Sequence, residues 1–143
     1  MTQDQAGWTT PGAGPRPGPP DPNEVAIDRA GLPAPSAAWL RQVAAQVDPR
    51  LDRVAPAWRE SPQAEPARAC AFGLLLGKLA ALHPHMREDL SRTAESHPSY
   101  STLPAGNRLA TLEQIAAEPA RAAAWLGPLI DVTDPAVIAR LTE

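Results

Sequence analysis

The three histidines of the chain fall within fifteen residues: His83, His85 and His97, interleaved with Met86, Glu88, Asp89 and Glu95. His85 and Glu88 stand at i and i+3, so on a helix both project from one face. His83, across Pro84, supplies a third donor at the corner. Imidazole with carboxylate suits zinc, or iron where coordination positions stay open. One expectation is therefore a helical metal-binding protein using His83, His85 and Glu88. The HExxH spacing and the repeated Glu-x-x-His order of di-iron bundles are both missing. A simpler reading puts His83 and His97 at helix C-termini, where a partial positive charge is favourable.

Cys70 is the only cysteine, so no intrachain disulfide and no cysteine-based zinc knuckle can form. It lies in ACAFGLLLGKLAAL, apolar company that raises a thiol pKa and makes the group inert. His83 is thirteen residues further along the same helix, about 20 Å away, and cannot act as its base. The chain has no phosphate loop, no GxSxG and no dinucleotide fingerprint. Hydroxyls crowd SRTAESHPSYSTLP around His97, which is ordinary loop chemistry; Tyr100 there is expected in a recognition surface. The sequence thus leans away from catalysis.

The elements that must position these residues read as helices. Seven times from Ser36 onward a proline follows a residue that can stand at a helix start: Asp48, Ser61, Glu65, His83, His97, Glu118 and Asp134. Proline is tolerated in the first turn because its missing N–H has no intrahelical partner there. Between these points apolar residues recur at helical spacing, as in Trp39, Leu40, Val43 and Val47, or Leu109, Leu112 and Ile115. Val and Ile are few and never alternate with polar residues over a strand's length. The expectation is all-α: a compact bundle of six or seven short helices around a central apolar helix at about 66–82.

That central helix is apolar nearly all round, which implies burial on several sides. Along it Ala69, Gly73, Gly77 and Ala81 recur every four residues. Glycine costs about 1 kcal/mol relative to alanine inside a helix, so its use in an alanine-rich chain implies close backbone approach. The neighbour is a second helix of the chain, a second copy of the chain, or a ligand. Trp39, Trp58 and Trp125 fall on apolar faces, where they fill core or line an apolar small-molecule pocket with Leu74 to Leu82.

Composition divides the chain. Of 26 Leu, Ile, Val and Phe residues, only Val25, Ile27 and Leu32 lie in residues 1–35, which also hold eight prolines and five glycines. Residues 1–34 read as a disordered Pro/Gly-rich arm carrying a docking patch at 24–33, and 35–143 as one helical domain. In residues 36–143 eleven basic side chains oppose twelve acidic ones, without the basic stripe of a nucleic-acid binder. The longest apolar stretch, 69–82, is too short to span a bilayer, for which about 20 residues are needed. The opening MTQDQAG lacks the basic and apolar regions of a signal peptide. The sequence therefore predicts a cytoplasmic protein with no nucleic-acid or membrane partner and no cofactor beyond a zinc or iron alternative. Its expected action is protein–protein interaction or homodimerisation in an accessory or regulatory role. The interaction residues would be Val25, Ile27, Leu32, Gly73, Gly77, Ala81 and Tyr100.

Overall fold

The computed structural model describes residues 21–131 and 134–142. Among them every regular element is helical: α1 (Pro22–Ala30), α2 (Ala34–Ala45), α3 (Val47–Val54), α4 (Ala64–Leu82), α5 (Arg87–Ser96), α6 (Arg108–Ala117), α7 (Pro119–Leu126) and α8 (Pro135–Ala139). Single 3-10 turns stand at Trp58–Glu60, Pro84–Met86, Pro98–Tyr100 and Arg140–Thr142. Among the described residues from Ala34 on there are seven α-helices, within the six or seven expected. No helix among the described residues is long and apolar enough to cross a membrane.

α4 is the axis. Ala67, Ala69, Ala71, Phe72, Leu74, Leu75, Leu76 and Ala80 are all buried on it, and residues so placed point to every side of a 3.6-residue helix. Its neighbours include α6, which packs along it most extensively, and α3, α5 and α7. Many proline pairs open helical turns as expected. Pro84, Pro98, Pro119 and Pro135 each begin one, and the Asp134 side chain accepts from the Ala136 N–H at 2.9 Å. Asp48 does other work and binds Arg68, while near the start of α2 the Ser36 hydroxyl donates to Asp89 Oδ2 at 2.7 Å.

The division at residue 35 is corrected. Residues 22–30 form α1, which packs on α5 and α2. Ile27 is 1% exposed, Leu32 packs against the core at partial burial, and Val25 is half-buried. The patch at 24–33 thus docks on its own bundle. Its start signal is the same as in the rest of the chain: Asp21 precedes Pro22, and its carboxylate accepts from the Asn23 N–H at 3.0 Å. Gly31 closes the helix at φ 64°, a left-handed conformation that glycine adopts without strain. Residues 1–20 of the expected arm lie outside the described residues.

Asp21 also ties α1 to the bundle. Its second oxygen takes Arg68 Nη2 at 2.8 Å, while Arg68 Nε reaches Asp48 at 2.8 Å and Nη1 reaches Glu65 at 3.3 Å. One guanidinium therefore joins the starts of α1, α3 and α4, a geometry its planar fork permits. Burial works against the charge of Arg68, yet the hydrogen bond to Asp48 and the neighbouring Asp21 carboxylate outweigh it and raise its pKa.

Candidate functional site

The small-residue stripe of α4 is used inside the chain. A Cβ on Gly77 would lie 2.5 Å from the Leu112 carbonyl oxygen, and one on Gly73 would lie 2.8 Å from the Tyr100 hydroxyl and 3.0 Å from Leu112 Cδ2. α6 therefore lies against the α4 backbone at a distance only glycine allows. This settles the neighbour of Gly73 and Gly77 as intrachain, so neither residue is available to a second copy or a ligand. Ala81 is exposed and stands outside this contact. The close contact thus ends one turn earlier than the four-residue repeat suggested, with Ala81 still inside α4.

Tyr100 is corrected from surface to core. It is 1% exposed, its hydroxyl donates to the Ala69 carbonyl at 2.6 Å, and its ring stacks on His97 at 4.0 Å. His97 is 1% exposed as well. The Ser99 N–H donates to its Nδ1 at 3.1 Å, which leaves the proton on Nε2 to donate to Asn23 Oδ1 at 2.8 Å. Burial lowers its pKa to about 4 against a raising effect from Asp21. His97 is thus a neutral core imidazole and not a helix-ending cation. Asn23 is the partner that sequence reasoning missed; it is 1% exposed, and its Nδ2 has no partner among the described residues. The sequence signal that could have found it was Asp21-Pro22, the same helix opener, lying in the segment set aside as arm.

The remaining histidines form a surface cluster. His83 ends α4, and Pro84–Met86 turns the chain into α5. The His83 and His85 rings meet edge-on with centroids 5.9 Å apart, and Trp39 of α2 meets His83 edge-on at 5.6 Å. These residues with Pro35, Ser36 and Met86 line an open cleft of about 360 Å³. Glu88 does not join them: it is exposed and pairs with Arg92 at 2.9 Å, one helical turn along. No group of three or more His, Cys, Asp or Glu side chains converges among the described residues. The expected His83, His85 and Glu88 ligand set is therefore not assembled, because the 3-10 turn at 84–86 puts His85 and Glu88 on different elements.

Of the apolar pocket expected between tryptophans and Leu74 to Leu82, little survives. Leu74, Leu75 and Leu76 are packed in the core, while Leu82 is 61% exposed. Trp58 is buried, donates its indole N–H to Asp52 at 2.7 Å and lies under the Arg59 guanidinium at 4.9 Å. The Arg59 and Trp58 hydrogen bonds hold the Asp52 carboxyl below its ordinary pKa. Trp125 donates to the Cys70 carbonyl at 3.3 Å. Burial pushes the Cys70 thiol up to about 12, far from a nucleophile's range.

One concavity was not foreseen. Between the turn after α3 and the chain after α7 lies a groove of about 710 Å³, with Pro56, Trp58 and Pro62 on one side and Pro128, Leu129 and Ile130 on the other. Ser61 joins the two walls, its hydroxyl donating to the Leu129 carbonyl at 2.9 Å and accepting from the Gln63 N–H at 3.0 Å. The charged residues of the lining are Glu60 and Asp131, both acidic. No protein-family model, no curated protein and no solved structure matches the chain.

Proposed function

We propose that the protein is a small non-catalytic helical adaptor that binds an extended segment of a partner protein in the groove between the α3–α4 connection and the chain after α7. The single observation that carries this reading is the groove's lining. Its apolar walls of Pro56, Pro62, Leu129 and Ile130 carry charge of one sign, from Glu60 and Asp131. An apolar trough with an acidic rim complements an extended peptide that alternates apolar and basic side chains. The reading is further supported by what is spent elsewhere: Gly73, Gly77 and Tyr100 are committed to internal packing, and Cys70 and His97 are held in unreactive forms.

The test is a displayed library of ten-residue peptides selected in parallel on the native protein and on a Leu129→Glu variant. Enrichment of peptides with Arg or Lys next to apolar residues, binding the native chain at least tenfold better than the variant and shifting the Trp58 indole N–H resonance, is the expected result. Equal enrichment on both proteins, or none, overturns the reading.

A further inference from the structure

We propose that His83, His85 and Met86 form a binding site for one monovalent copper ion, capped by Trp39. The local chain geometry makes the site. Pro84 fixes its own φ and opens a 3-10 turn, closed by the Met86 N–H donating to the His83 carbonyl at 2.9 Å. His83 stands just before the turn at φ −131° and ψ 73°, and Met86 ends it, so the two imidazoles and the thioether come from one short stretch of chain. All three line the cleft of about 360 Å³ beneath Trp39.

The chemistry of the donors selects the ion. Two imidazoles and a thioether are borderline-to-soft ligands, and the cleft lining carries no carboxylate. Such a set disfavours magnesium, calcium and manganese and favours copper(I). The spacing points the same way. With a metal about 2.0 Å from a nitrogen of each ring, each ring centroid stands about 3.1 Å from it. Two centroids 5.9 Å apart then subtend roughly 140° at the metal. A tetrahedral zinc ion would need the rings closer, at about 5.1 Å, and a fourth donor. The wide angle suits an ion content with two nitrogens and one sulfur. Trp39, edge-on to His83 at 5.6 Å, shields one side, and exposed His85 leaves an entry path.

This site shares no residue with the groove, and its failure would leave the adaptor reading untouched. The experiment titrates the full chain, native and Cys70→Ser, with copper(I) under anaerobic conditions against a chromophoric copper(I) chelator, with zinc(II) in parallel. Both proteins are expected to retain one equivalent of copper(I), with quenching of tryptophan fluorescence that a Trp39→Phe variant loses. His85→Ala and Met86→Leu, each checked for native helicity, should weaken retention at least tenfold. Zinc should bind at least a hundredfold more weakly than copper(I). Failure to retain copper(I), retention unaffected by both variants, or loss of retention in Cys70→Ser overturns the proposal.

Discussion

The Tyr100 hydroxyl occupies the space that a side chain on Gly73 would need: a Cβ there would stand 2.8 Å from the oxygen. The same hydroxyl donates to the Ala69 carbonyl at 2.6 Å, one turn earlier on α4. Gly73 and Tyr100 are therefore a matched pair, and their substitutions should not add. Gly73→Ala alone is expected to cost about 2 kcal/mol through overpacking, and Tyr100→Phe about 1 kcal/mol through the lost hydrogen bond. With the oxygen gone, the tightest contact is relieved while Leu112 Cδ2 at 3.0 Å and the ring Cζ at 3.1 Å still press on the methyl, so the double variant should be more stable than the sum predicts by about 1 kcal/mol. Urea unfolding of the four proteins measures this coupling, and strict additivity would refute the pairing.

Gly77 faces backbone, not a side chain, so nothing can rotate away. A Cβ would meet the Leu112 carbonyl oxygen at 2.5 Å and the Glu113 nitrogen at 3.0 Å. Gly77→Ala gains about 1 kcal/mol of helix propensity, yet pushing α6 off α4 should leave a net loss of about 2 kcal/mol. A midpoint in urea equal to or above that of the native chain would show that the two helices can part at no cost.

His97 gives stability a pH dependence. Its folded pKa is depressed to about 4 from 6.5, so between these values the unfolded chain binds a proton that the folded chain does not. Stability is then full above pH 6.5, falls as pH drops toward 4, and levels off below. The loss over that window is about 3 kcal/mol. A His97→Gln variant keeps an N–H toward Asn23 and removes the titration. Between pH 7 and pH 4 the native chain should lose about 3 kcal/mol more than this variant in urea melts; parallel pH profiles would contradict it.

Arg68 holds three helix starts through Asp21, Asp48 and Glu65. With Arg68 only 18% exposed and Asp21 12%, screening by water is incomplete. Arg68→Ala is expected to cost about 2 kcal/mol. Arg68→Lys should recover less than half, because the donors of one compact ammonium nitrogen cannot span the three carboxylates that Nε, Nη1 and Nη2 reach separately. Limited proteolysis near α1, read beside the melts, should accelerate in both variants; unchanged cleavage would mean that Asp21 holds nothing in place.

Helical periodicity and proline punctuation made most of the fold legible before any coordinates. The span of α4, the start of α7 at Pro119 and the cap at Asp134 follow from local rules that depend on neighbours in sequence. The glycines at 73 and 77 were legible as a close approach, though not which helix approaches, since that is a tertiary fact. The errors share a cause. Pro22–Ala30 was read by the composition of residues 7–20, and Tyr100 by the polarity of its loop, yet both are decided by distant partners. Asn23 reaches His97 across 74 residues and Tyr100 reaches Ala69 across 31. The His83 and His85 cluster was legible as a pair, while the 3-10 turn that separates it from Glu88 was not, because a helix opening at Pro84 can begin in the α form as readily as with a 3-10 turn.

The bond between Asn23 and His97 has a consequence for synthesis. α1 leaves the ribosome first, but its partner residue is made 74 residues later, about 4–15 s at ordinary elongation rates. A nine-residue helix is too short to persist alone in water. For that interval α1 lacks α5, the neighbour it packs on most, and its contact to His97 forms only when that turn emerges. The first helix of the described chain thus meets its most extensive partner, α5, only after three other helices, α2, α3 and α4, have been made.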